Sequence, residues 1–485
     1  MEASVPKEQS QYSLPIGLRY NLGIADSVPA VRNITQYLSS NATTFSGSGT
    51  NVCRIPVSSG NFLDLKNALL QFELTVGAHE VHLDGSAAGL IEEITITAGG
   101  QTIETIRGYG QLDAILDQYS SSAGTMRQNH VLKGSVATIN DSPAFVGGAG
   151  TSADTRTVNG ITVTAAGSTN VNLVSIGGPG YDQYQSQKLA AAVTRKYSFA
   201  LRACGFFNPA TNKLMPPNTP FMVSIKFARG ENCLKNLGAD SPAAYTVADC
   251  ELHIPEIQIQ DPTFMSRMQS RMAQGLAWKC TSYDHFVNTF AGSSTGNATI
   301  QISARARSLK GLMTVLRKQS NVSANQVFKL SKRSIQYVSD FCYRIGSTQY
   351  PAQKCQIGGI GLVAGGTAAD TRITGSATSN VNVAEAYSHV LRLTGNLNTQ
   401  GANNLISQES FAQSELNNGT GLLAIDLSAF SDGSVNSGLN TLNNMPVSLE
   451  VFRTVAANAI VQTDTYSVHE LVIVRDASGQ LSSVY

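Results

Sequence analysis

Residues 90–120 read LIEEITITAGGQTIETIRGYGQLDAILDQYS. Ile94-Thr95-Ile96-Thr97 is a β-branched run that suits a pleated, half-buried surface. Gly99-Gly100 follows, two residues without Cβ that reach the positive φ of a tight hairpin turn at no steric cost. A strand-like pattern resumes from Gln101, with Ile103 and Ile106. After Gly108 the period changes. Leu112, Ile115, Leu116 and Tyr119 fall at i, i+3, i+4 and i+7, one face of a short amphipathic helix. Strand, Gly-Gly turn, strand and helix make a structural unit rather than a site of chemistry.

The stretch resembles a segment of the major capsid proteins of double-stranded DNA viruses built from two jelly rolls. There a strand runs into a Gly-Gly-Gln turn, a second strand, an aromatic-Gly pair and a helix. The matching residues here are Ile94, Ile96, Gly99, Gly100, Gln101, Ile103, Tyr109, Gly110 and Leu112. Phe341-Cys342-Tyr343-Arg344-Ile345-Gly346-Ser347-Thr348-Gln349-Tyr350-Pro351 resembles a segment of the capsid proteins of polinton-like viruses, in a lineage shared with virophages and nucleocytoplasmic large DNA viruses. The resemblance implies an all-β fold: two consecutive antiparallel eight-stranded jelly-roll sandwiches with long inserted loops and a few short helices. It further implies a viral major capsid protein that trimerises into pseudo-hexagonal capsomers tiling an icosahedral shell. Such a subunit belongs to a virion assembled inside the host cell. Its partners are neighbouring capsomers and penton and minor capsid proteins, with the genome or an inner membrane as further contacts.

Outward from that stretch, strand patterns recur. On its N-terminal side lie 52–57 and 68–76, where Leu70, Phe72, Leu74 and Val76 alternate. Residues 1–48 are polar, with Pro6, Pro15 and Pro29, and show no sustained period. They read as an extended arm that orders against a partner, or equally as an idle terminus. Residues 121–190 are rich in Gly, Ser, Thr, Ala and Asn, and within them 161–164 and 171–176 are candidates to pair. Loops of this length are usually functional or disordered. This one and 355–381 are candidates for an outer tower. Strands resume at 197–203, 220–228 and 250–260.

Residues 261–275 read as a helix with Asp261 as cap, Pro262 at its first position and Gly275 closing it. Phe264, Met265, Met268 and Met272 form its apolar stripe, read as plain packing. The expected division is an arm at 1–48, a first roll at 49–260, a linker helix at 261–275 and a second roll at 276–485.

The second half repeats the first. Residues 198–206 line up with 422–430, Pro220 in its strand with Pro446, and 250–254 with 469–473, at offsets of roughly 220 residues. The 341–351 segment stands where the Gly-Gly-Gln hairpin stood. A helix at 383–393, with Ala384, Tyr387 and Leu391 on one side, parallels 111–119. Three strand pairs in one order argue for a duplicated β-domain.

Composition fits this reading. Charged residues are 14%, well under the usual figure of about 25%. That is expected of a turn-rich β protein whose surface is largely covered by neighbours. The net charge of +1 gives no global field toward nucleic acid. Cys53, Cys204, Cys233, Cys250, Cys280, Cys342 and Cys355 are odd in number and never spaced as CxxC, so buried reduced thiols are expected. A secreted or surface-attached β-sandwich binding module, fibre or lectin-like, is the alternative. It calls for disulfides or an aromatic platform, and the single Trp278 offers little.

No catalytic residue, cofactor site, metal site or small-molecule substrate is expected. Gly292-Ser293-Ser294-Thr295-Gly296 spells a hydrolase elbow, yet a strand pattern rather than a helix follows it. The glycines at 359–366 mimic a dinucleotide fingerprint without a following helix. The seven histidines form no cluster with Cys or carboxylate in sequence. One charge feature stands out. Arg305, Arg307, Lys310, Arg317, Lys318, Lys329, Lys332 and Arg333 lie in a stretch free of acidic residues between Asp284 and Asp340. They are candidates for a basic inner or inter-subunit face, against genome, acidic neighbours or anionic lipid; a solvated face balanced by acids elsewhere is the other reading.

Overall fold

The computed structural model describes residues 29–120, 188–210, 213–236, 241–291, 296–322, 328–357, 383–397, 420–429, 437–443, 445–453 and 460–484. It also describes 128–129, 131–134, 154–158, 161–165, 324–325, 406 and 411. Sixteen strands form the framework. In the first half they are β1 (Ala30–Leu38), β2 (Val52–Val57), β3 (Leu69–Val76), β4 (Ile91–Ala98), β5 (Gln101–Arg107), β6 (Thr194–Phe199), β7 (Phe221–Phe227) and β8 (Tyr245–Ile259). In the second they are β9 (Leu276–Phe290), β10 (Gly296–Ile302), β11 (Leu309–Lys318), β12 (Val338–Ile345), β13 (Thr348–Gln356), β14 (Leu423–Asp426), β15 (Val447–Arg453) and β16 (Val461–Arg475).

Hydrogen bonding orders the first half as β1-β8-β3-β6 and β2-β7-β4-β5, and the second as β9-β16-β11-β14 and β10-β15-β12-β13. Adding eight to every strand number of the first pair of sheets yields the second pair. Both halves are therefore one jelly roll, built twice. The fold is all-β, with a path of four strands through each main sheet and short strands added at 44–45, 62–63 and 481–484.

Alternation explains the layers. β3 and β7 bury every second residue, placing Leu70, Phe72, Leu74 and Val76 opposite Phe221, Val223, Ile225 and Phe227. Phe72 meets Phe227 edge-on at 6.1 Å and Phe199 at 5.8 Å. In the second roll Phe341 and Tyr343 on β12 pack the corresponding core. The β4–β5 hairpin closes at Ala98 and Gln101, with Gly99 and Gly100 at φ of 55° and 81°. β12–β13 turns at the matching place, with Gly346 at 61°. Helices α1 (Tyr109–Ser120) and α3 (Ala384–Leu393) follow the two hairpins, with α2 (Pro262–Met272) between the halves.

Two expectations need correction. β1 lies inside the segment read as an arm and pairs with β8 residue by residue, from Ala30–Ile259 to Leu38–Glu251. Side-chain patterning could not reveal it, because both its faces are largely exposed and backbone pairing holds it. Residues 161–165 pair with 154–158, while 171–176 lie outside the described residues. The stripe on α2 is largely unpacked. Phe264 is exposed, Met265 and Met268 are half-buried, and Met272 alone is buried. The α2 cap is as expected, Asp261 accepting from the Thr263 and Phe264 amides.

Candidate functional site

The two rolls are joined by a buried polar seam. α1 and the β5 strand before it enter this seam from the first roll. Gly108, at φ 61°, turns the chain from β5 into α1 under the hydroxyl of Tyr466, which donates to its carbonyl at 3.0 Å. A Cβ at Gly108 would stand 2.7 Å from that oxygen and 2.9 Å from His285 Nδ1. Glycine is therefore required here both for φ and for space. Tyr466 Oη also reaches Gln111 Oε1 at 2.9 Å.

Two carboxylates of the first roll sit at the seam, Glu104 held by donors of both rolls and Asp84 by donors of the second. Glu104 on β5 is fully buried and accepts from the amides of Gly205 and Phe206 at 2.9 and 2.8 Å. Cys204 Sγ donates at 3.0 Å, and Ser282 Oγ on β9 donates at 2.6 Å. Asp84 accepts from three successive amides, Lys329, Leu330 and Ser331, and from Ser331 Oγ at 2.7 Å. Such concave amide runs are natural anion cradles. A third junction binds α1. Tyr119 Oη donates to the Thr420 carbonyl at 2.7 Å and Gln118 Nε2 to that of Ser331 at 2.8 Å. Arg333 donates to Gln118 Oε1 at 2.6 Å and to the Thr420 and Gly421 carbonyls. Beneath it Lys133 bridges Asp113 and Asp117 at 2.7 and 2.6 Å, all three buried. Burial works against the Lys133 charge, but the two carboxylates outweigh it and hold its pKa up.

The eight basic residues are not brought onto one face. Arg317, Lys329, Lys332 and Arg333 are buried within the chain. Arg317 donates to Asp464 from Nε and Nη2 at 2.9 and 2.5 Å, and Lys329 Nζ donates to the Glu231 carbonyl. Burial pushes Lys332 well below the ordinary lysine range. Lys310 and Lys318 are half-buried, and Arg305 and Arg307 are exposed. The local absence of acids is explained by partners distant in sequence: Asp84, Asp464 and main-chain carbonyls.

All seven cysteines are free and buried, as reduced thiols require. The hydrolase-like serines at 293 and 294 and the glycines at 359–366 lie outside the described residues. One constellation escaped sequence reading. Cys355 on β13 and Glu385 and His389 on α3 place ligand atoms within 4.8 Å of one another. The signal available was the Glu–His pair at i and i+4 of a helix. Its cysteine partner lies some thirty residues upstream, so spacing alone did not connect them.

No protein-family model matches the sequence, and no curated protein matches it. Solved structures do. The PBCV-1 virus capsid model is similar at TM-score 0.57 and 10% identity, over 96% of this chain and 99% of that one. The Sputnik virophage structure from cryo-EM is similar at 0.56 and 8% identity, over 97% and 92%. The mavirus major capsid protein is similar at 0.52 and 10% identity, over 98% and 96%. At such identities the likeness is one of fold, and it runs nearly end to end. In fold, this chain is a double jelly roll of the kind those viral capsids use.

Proposed function

We propose that the chain is a major capsid protein, a structural subunit that trimerises into pseudo-hexagonal capsomers of an icosahedral double-stranded DNA virus. The observation that carries the reading is the repeated strand order, two equal rolls fused in one chain. Three such chains supply six similar edges around one axis, the geometry a hexagonal tile needs. The division into a first roll up to residue 260, a linker helix at 261–275 and a second roll from 276 belongs to this reading.

Exposed apolar side chains mark the edges as unfinished surface. Ile34 and Leu38 on β1 are 67% and 64% exposed, and Val287 on β9 is 55% exposed. Both strands are outermost in their sheets, where an uncovered edge invites further pairing. The neighbouring subunits of the trimer are the partners proposed there. Arg305 and Arg307 remain candidates for an inner or inter-subunit contact with genome, membrane or minor proteins. Residues 1–28 are the candidate arm, and loops 121–190 and 355–381 the candidate outer tower. The reading gives the chain a structural role and no reaction.

Mass photometry of the purified full chain tests it. A stable particle near three times 51.3 kDa is expected. A monomer at all concentrations would sink the capsomer reading.

A further inference from the structure

Cys355 lies near the end of a strand, Glu385 in the first turn of a helix and His389 in its middle, yet their donor atoms converge within 4.8 Å. Cys355 is fully buried and His389 is 9% exposed, while Glu385 faces solvent. Glu385 and His389 are one helical turn apart, so both project from the same side of α3. Three donor types, a thiol, an imidazole and a carboxylate, thus come from two elements to one point.

We propose that Cys355, Glu385 and His389 form a binding site for a divalent transition ion of the Zn2+ class, with water as the fourth ligand. Zn2+ takes this mixture of sulfur, nitrogen and oxygen in a tetrahedron. Ligand distances of about 2.0–2.3 Å put tetrahedral donors roughly 3.3–3.8 Å apart, so the three need to close by about 1 Å. The exposed position of Glu385 gives the ion a way in from solvent.

Charge sets the cost of binding. Without an ion, burial first and the neighbouring Glu385 second push the Cys355 thiol up, so a proton on sulfur competes with the ion. A divalent ion replaces that proton, which leaves to solvent, and the thiolate and carboxylate cancel the ion's two charges. Asp426 and Arg392 face His389, and Asp340 faces Cys355, so acids outnumber bases in the surrounding shell. The consequence is mechanical. Cys355 precedes residues 358–382 and Glu385 follows them, so the ion fastens β13 to α3 at the two feet of an inserted stretch. Closing so long a loop on one bond set restrains the unfolded chain.

Full-length protein titrated with Co2+ provides the test, with Zn2+ as competitor. One equivalent per chain is expected, with a thiolate-to-cobalt charge-transfer band that Zn2+ removes, and a higher unfolding temperature with either ion. Cys355→Ser is expected to abolish the band. Glu385→Gln, at an exposed position that folding tolerates, is expected to weaken binding roughly 10–100-fold or more, as His389→Gln should. Cys342→Ser, a thiol outside the group, is expected to leave the band unchanged. Folded wild-type chain that takes up Co2+ without the band, or not at all, overturns the site. So does a Glu385→Gln variant that binds as tightly as wild type.

Discussion

Glu104 shows how a single charge can join two domains. Its four donors come from the 204–206 turn and from Ser282, so its removal leaves amides and a hydroxyl buried and unpaired on both sides of the seam. Glu104→Ala is expected to cost about 3–5 kcal/mol, read as a lower urea midpoint; a change under about 1 kcal/mol would mean the seam carries little stability. Asp464 carries a pH prediction. Burial alone raises its pKa, but the Arg317 guanidinium and a bond to His285 outweigh burial and hold it below the ordinary carboxylate range. A carboxylate depressed on folding contributes stability above its unfolded pKa, and that stability is lost as pH falls through the folded value. Wild type is therefore expected to lose stability on acidification more steeply than Asp464→Asn, and parallel curves would count against the pair. None of this was legible in sequence. Glu104 lies between Ile103 and Ile106 like any solvent-facing strand residue, and its partners are separated from it by 100 residues or more.

At the scale of elements, what could be read depended on whether side chains or backbone hold the piece. The β4–β5 hairpin and α1 were legible because glycine torsions and a clean change of period write themselves into residue types. β1 was not. Its Val31, Ile34 and Leu38 are exposed, and it is held to β8 by main-chain pairing and a Tyr37–Glu256 bond rather than by an apolar face. This separates two truncations. Removing residues 1–28 should leave the unfolding midpoint of the soluble chain unchanged while impairing shell assembly. Removing 1–40 also strips β1 from the β8 edge, and should lower the midpoint measurably and promote aggregation. Equal midpoints for the two truncations would show that β1 adds nothing to the first roll.

For the molecule as a whole, the internal repeat was the most informative feature of the sequence. The paired Pro220 and Pro446 stand just before β7 and β15, and 250–254 with 469–473 fall on β8 and β16, strands that hold equivalent places in their sheets; 198–206 meets β6 only at Ser198 and Phe199. The seam was hidden because both faces of β16 are buried. Its residues toward the second roll's core are Thr463, Thr465 and Ser467, while Asp464, Tyr466 and Glu470 point the other way. No hydrophobic alternation survives such a demand. β16 also sits between β9 and β11, fifteen residues that complete the sheet and receive the first roll. A ribosome delivers those residues only after both of their sheet neighbours, β9 and β11. Until they emerge, those two strands have no common partner and the nascent sheet stays open along its middle. Folding of the second roll is thereby held back until its central strand arrives.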